Sequence, residues 1–157
     1  MNVICFVVAL VISQAPAHTA ADDAASSRPA WIELSEQNKL PLHTDVIKST
    51  PWATVEEART EALEMAAVRA LDFAAESAPK LKNSWKVPTW LVADQMLREP
   101  IFVEEFDWDF SATLAPMHRA YAYLDLSPDK RDLLLGTWRQ ELMHRRMNQI
   151  GGGLGFV

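Results

Sequence analysis

The spacing of the hydrophobic residues changes twice along this chain, and those changes predict its fold class. Apolar residues recur every three to four positions between residues 55 and 78, alternate between residues 101 and 126, and return to helical spacing after Pro128. Helical spacing is typical of a helix with one buried face, and alternation is typical of a strand with one buried face. The order of helix, strands and helix therefore predicts an α+β domain.

A capping box opens the first predicted helix. Thr54 can accept a hydrogen bond from the backbone three residues on, and Glu57 can reach back toward it. The helix is predicted to start at Val55 and to run up to Pro79, which cannot continue it. Its apolar stripe has side chains small enough to pack closely on a sheet: Leu63, Ala66, Ala67, Ala70, Phe73 and Ala74. A second, short helix is predicted over residues 89–98, with four side chains inward: Trp90, Leu91, Met96 and Leu97.

Two alternating runs, residues 101–110 and 117–126, are predicted to form an antiparallel hairpin because the connection between them is short. Burial then predicts the register, since opposing residues share a face. The expected pairs set an acid against a base outside and large side chains against smaller ones inside: Asp107 with Arg119, Phe106 with Ala120, Phe102 with Leu124 and Trp108 with His118.

The last helix is predicted to start at Pro128, with Ser127 as N-cap, and to end at Ile150 before three glycines. Its expected apolar face is Leu135, Trp138, Leu142, Met143, Met147 and Ile150. Together the elements predict a long N-terminal helix, a short helix, an antiparallel β-hairpin and a C-terminal amphipathic helix, packed in two layers. One α+β domain over residues 51–150 accommodates them.

The N-terminus has the pattern of an export signal. Ten apolar residues, 3–12, precede a small-x-small cleavage site at Ala15 and Ala17. A membrane-spanning helix needs about 20 apolar residues, so this run is too short to cross a bilayer. We therefore expect residues 1–17 to be a signal peptide and the mature protein to be extracytoplasmic, whether periplasmic, membrane-associated or secreted. The alternative is a buried apolar strand of a cytosolic domain, since no lysine or arginine precedes the run.

Two further segments flank the predicted domain. Residues 18–50 are expected to be a disordered or loop-rich spacer, in which residues 29–51 lay Trp31 against the domain. Residues 151–157 form an uncharged, glycine-rich apolar tail, expected to be either the start of a missing transmembrane segment or a frayed end.

Composition excludes several function classes. The net charge of −6 opposes nucleic-acid binding, which needs a concentrated basic surface. The only cysteine, Cys5, lies inside the predicted signal, so the mature chain has no thiol chemistry. No glycine occurs before Gly136, which excludes phosphate-cradling nucleotide loops and the Gly-x-Ser-x-Gly elbow of hydrolases. We expect no cofactor and no nucleotide.

Three groups of residues are candidate sites. Glu105, Asp107 and Asp109 would share one strand face, where they could bind calcium or serve a carboxylate-pair hydrolase; the alternative is a solvated face neutralised by Arg119. Glu141 and His144 lie one helical turn apart, which is half of a di-iron motif without a second copy. Among six tryptophans, three lie outside any clear period and are candidates for a binding surface: Trp31, Trp52 and Trp85.

One motif covers the second strand and the start of the last helix: Ala115-Pro116-Met117-His118-Arg119, Leu124-Asp125-Leu126-Ser127-Pro128, then Arg131, Trp138 and the glycine-rich tail. With this motif the chain from Trp52 to Val157 resembles a group of uncharacterised bacterial exported proteins, in which a transmembrane helix directly follows the soluble domain. The resemblance implies a truncated, membrane-anchored protein and no catalytic residue.

We therefore expect an exported envelope protein that acts as an interaction or structural domain, with an envelope protein or the membrane as partner. The alternative is an extracytoplasmic hydrolase or calcium-binding domain that uses the acidic strand face.

Overall fold

The computed structural model describes residues 28–107 and 116–152, with side chains as far as Asn148. In this part of the chain the predicted α+β class is confirmed: helices pack on a three-stranded antiparallel sheet. The elements in chain order are α1 (Ala30–Glu36), β1 (Thr44–Lys48), α2 (Val55–Ala75), a 3₁₀ turn (Pro79–Asn83), α3 (Thr89–Gln95), β2 (Phe102–Phe106), β3 (Met117–Asp125) and α4 (Pro128–Gly152).

Helix α2 starts where its capping box predicts. The Thr54 hydroxyl accepts from the backbone N–H of Glu57 at 3.3 Å and donates to the Glu57 carboxylate at 2.7 Å. The small side chains along the helix are fully buried against β3, among them Ala66, Ala70 and Ala74. Because alanine allows the helix backbone to approach the strand closely, this stripe fixes the distance between the two layers.

The expectation that residues 29–51 are loop-rich is wrong. This segment contains α1 and β1, and β1 pairs antiparallel with β3 from Thr44 opposite Asp125 to Lys48 opposite Tyr121. Strand β3 therefore lies in the middle of the sheet, in the order β1-β3-β2. Both Val46 and Ile47 are half-buried, each on a different face, so β1 has no alternating pattern to detect.

The predicted hairpin register is wrong by three residues. Arg119 lies opposite Glu104 instead of Asp107, and Phe102 lies opposite Tyr121 instead of Leu124. An odd offset moves every side chain of a strand to the other face of the sheet. Asp107 follows the last residue of β2, and the pair that would include Trp108 lies outside the described residues.

Both faces of the sheet are covered, and this explains the register error. The larger cluster lies under α2 and includes Ala120, Ala122 and Leu124, as predicted. A smaller cluster lies under α1 on the opposite face: Trp31, Ile32, Tyr121 and Tyr123. Trp31 packs against the domain as expected, with its ring stacked on Tyr123 at 5.1 Å between centroids. Tyr121 and Tyr123 alternate with Ala120 and Ala122 and share the parity of Arg119, so the predicted register would place them outside, but they are buried.

Two helices expose apolar residues that were expected to face inward. Helix α3 ends at Gln95 instead of residue 98; of the four side chains expected inward, Leu91 and Met96 are buried and Leu97 is half-buried, but Trp90 is 60% exposed. In α4, Leu135, Trp138 and Leu142 are half-buried, whereas two methionines, Met143 and Met147, are exposed. Helix α4 also continues to Gly152 instead of ending at Ile150 as predicted, and the side chain of Ile150 lies outside the described residues.

Candidate binding groove

An open groove of about 530 Å³ lies between α2 and the chain that leads from the 3₁₀ turn into α3. We call it the α2 groove. One wall is formed by α2 and the other by the segment around Trp85. Its lining residues are Glu64, Ala67, Val68, Leu71, Lys82, Trp85, Lys86, Val87 and Thr89.

The apolar part of the groove is accessible to solvent. Val68 is 61% exposed, and Trp90, which follows the lining residue Thr89, is 60% exposed. Val68 projects away from the sheet because the alanine stripe of α2 occupies the opposite side of the helix. Large exposed apolar side chains beside a concave surface are typical of a site that binds something apolar.

Trp85 anchors the wall opposite α2. The residue is 5% exposed, and its indole N–H donates to the Oε2 of Glu141 in α4 at 2.5 Å. The other carboxylate oxygen of Glu141 accepts from the guanidinium of Arg145 at 2.5 Å. The Arg145 hydrogen bond, followed by that of Trp85, holds the pKa of Glu141 below its ordinary value. This pair of bonds ties the groove wall to α4.

A second recess, of about 380 Å³, shares Lys82, Trp85 and Lys86 with the α2 groove and adds Asn83, Ser84 and Arg145. No acidic residue occurs between Glu76 and Asp94 in the sequence. Lys82 forms an ion pair with Asp72 of α2 at 2.6 Å. Within the described part of the chain Lys86 has no ion pair, so one lip of the groove carries a free cation.

The acidic strand residues do not converge. Glu105 and Asp107 are exposed, and Glu105 lies opposite His118. Arg119 extends its guanidinium over the ring of Phe106, 4.8 Å from the centroid, and its backbone lies opposite Glu104 in the sheet register. The third predicted acid, Asp109, lies outside the described residues.

Glu141 and His144, the predicted half-motif, have different surroundings. The Glu141 carboxylate is already bonded to Trp85 and Arg145, whereas His144 is exposed. Over residues 28–107 and 116–152, no three His, Cys, Asp or Glu side chains are grouped so that they could hold a metal ion. The predicted cleavage residues Ala15 and Ala17 lie outside that part of the chain.

The three candidate tryptophans have different surroundings. Trp31 is buried and its indole donates to Glu99 at 2.7 Å, so it belongs to the core. Trp52 is 36% exposed and donates to Glu61 at 2.8 Å. Only Trp85 lines the α2 groove.

Sequence reasoning missed Val68 and Trp90. A signal for Val68 was available, because it is a large apolar residue off the small-residue stripe of α2. The signal for Trp90 was weaker. A helix of seven residues buries only one face, and Trp90 lies 100° around the helix axis from the buried Leu91.

No helix in the described residues combines the length and the apolar character needed to cross a bilayer. No protein-family model, curated protein or solved structure matches this chain.

Proposed function

We propose that this chain is an exported envelope protein whose α+β domain binds a partner and has no catalytic role. The observation that carries the proposal is the α2 groove, where Val68 and the adjoining Trp90 are each about three-fifths exposed. Leaving such side chains in water forgoes roughly 1.5–3 kcal/mol of burial free energy each, which a bound partner recovers in part.

The partner that fits this groove is a protein segment with an apolar side chain beside an acidic one. Val68, Leu71 and Val87 offer apolar contacts along the groove, and Lys86 offers an unpaired ammonium group at its lip. An acidic flank on the partner would meet Lys86, and the lysine-bearing segment would repel a basic one.

A photoreactive amino acid placed at Val68 tests the groove. In cells that produce the protein, we expect irradiation to give a discrete adduct whose cross-linked partner peptide contains an apolar residue next to Asp or Glu. The same group at Arg59, an exposed α2 position outside the groove and outside the separate recess that Thr60 lines with Trp52, should give none.

Charge reversal at the lip refines the test. Lys86→Glu should reduce the adduct at position 68, whereas Lys39→Glu, an equal change at an exposed position elsewhere, should leave it unchanged. Equal adducts at positions 68 and 59, or a partner peptide without an acid, would overturn the proposed partner.

Export is supported by the apolar run at residues 3–12 and the small residues that follow it. The intact mass of the protein from its own cells tests this part. We expect a new N-terminus at His18, and an uncleaved Met1 would contradict it. A larger mass with the same new N-terminus would support membrane attachment through sequence beyond Val157.

A further inference from the structure

The end of α4 lies clear of the rest of the domain. All six residues from 143 to 148 are exposed, and the helix continues to Gly152. In water, a helix end without packing is marginal, and glycine is the poorest helix former after proline. A surface that contacts this end would therefore stabilise it.

The exposed side chains form an amphipathic surface. Met143 and Met147, 60% and 69% exposed, are four residues apart and lie on one face of the helix. Arg139 and Arg146 flank them at spacings of three and four residues, and neither guanidinium has an ion pair or hydrogen bond to another described residue. We call these four side chains the α4 end surface.

The charge of the α4 end surface indicates whether it fits a second copy of the chain or a lipid bilayer. The sequence has no acidic residue after Glu141, so the end of α4 is cationic although the whole chain has a net charge of −6. A second copy packed on the same face would bring arginines against arginines, which is unfavourable. Flexible apolar side chains flanked by guanidinium groups match the interface of a bilayer with anionic headgroups.

We infer that the α4 end surface binds an anionic lipid surface, with Met143 and Met147 in the headgroup region and Arg139 and Arg146 on lipid phosphates. The contact needs no residue of the α2 groove. It is peripheral, because the helix lies on the interface and does not cross the bilayer.

Vesicle co-sedimentation of the full chain tests the inference. Neutral phosphatidylcholine vesicles report any binding by the apolar residues 3–12, and vesicles that also contain phosphatidylglycerol report the added effect of charge. We expect tighter binding to the anionic vesicles, an increment that high salt removes. The double variant R139E/R146E should lose roughly tenfold or more of that affinity, since each basic residue near a charged membrane contributes a severalfold factor.

The matched control is K39E/R59E, which makes the same change in total charge at exposed positions of α2 and the chain after α1. This control should retain most of the additional affinity for anionic vesicles over neutral ones. Met143→Gln with Met147→Gln should weaken binding to anionic vesicles while the circular dichroism spectrum stays that of the parent, because neither side chain is packed and the two residue types have similar helix propensities. Equal binding to both vesicle types, or equal losses in the variant and its control, would overturn the inference.

Discussion

Trp85 and Glu141, 56 positions apart in the chain, are joined by a hydrogen bond from the indole N–H to the carboxylate. The bond links the segment before α3 to α4, and its donor Trp85 lines both the α2 groove and the second recess. Glu141 therefore acts in this structure as a support for the groove wall, which is a different role from the metal ligation considered on sequence grounds.

Replacing Trp85 by phenylalanine should lower the free energy of unfolding by about 2 kcal/mol, because the bond to Glu141 is lost and the smaller ring leaves a void. Urea denaturation measures the change. Trp90→Phe is the control, since that side chain is 60% exposed and its replacement should change stability by less than about 0.5 kcal/mol. Similar losses for both variants would contradict the anchoring role of Trp85.

The carboxylate of Glu61 should contribute a pH-dependent part of the stability. Its pKa lies below the ordinary value of 4.5 because the Trp52 indole donates to it, assisted by the backbone N–H and hydroxyl of Thr50. A carboxyl with a lower pKa in the folded state stabilises the fold above its unfolded pKa, and that stabilisation is lost as the pH falls through the folded pKa.

We accordingly expect Glu61→Gln to be less stable than the parent protein at neutral pH by about 1 kcal/mol. This difference in the free energy of unfolding should narrow as the pH falls below 4.5. Urea midpoints over a pH series measure it. Glu56→Gln, at a carboxylate that is 83% exposed, should show almost no gap at any pH. A gap for Glu61→Gln that stays constant into the acid range would refute the assignment.

The close contact between α2 and β3 should not tolerate a larger side chain. Ala70 is fully buried, so Ala70→Leu should lower the free energy of unfolding by about 2 kcal/mol through overpacking. Ala93 in α3 is exposed, and Ala93→Leu should be neutral because the two residues have similar helix propensities. Thermal melting compares them. If Ala70→Leu has the same melting temperature as the parent protein, α2 and the sheet are farther apart than described.

Gly136 offers a stabilising substitution. A Cβ atom added there would meet nothing within 4 Å, so Gly136→Ala should raise the free energy of unfolding by about 1 kcal/mol through better helix propensity. The reverse change in another helix, Ala93→Gly, should lower it by a similar amount. A loss of stability in Gly136→Ala would contradict the open space described around this position.

The starts of the two long helices were predictable because their causes are local. The capping box at Thr54 predicted the start of α2, and Pro128 predicted the start of α4, and the structure confirms both. The inward face of α2 also followed from its small residues. In the candidate site, Trp85 was predicted as part of a binding surface, whereas Val68 and Trp90 were found only from their exposure.

The sheet was less predictable because its causes are not local. A period of two identifies the buried side of a strand only when the other side is wet, and in β3 both sides are buried. Tyr121 and Tyr123 have apolar rings with polar ends, so they fit either environment. The acid and base pair that set the expected register, Asp107 with Arg119, was outweighed by the burial of these rings under α1.

By itself, the sequence determined the α+β class and the starts of the two long helices, since helix spacing, caps and prolines act within a few residues. The tertiary structure decided the rest: that β1 completes the sheet, which residues lie opposite one another, and which apolar side chains stay in water. The physical reason is that strand pairing and burial depend on residues far apart in the chain. No local pattern encodes whether a distant helix such as α1 will cover the second face of a sheet.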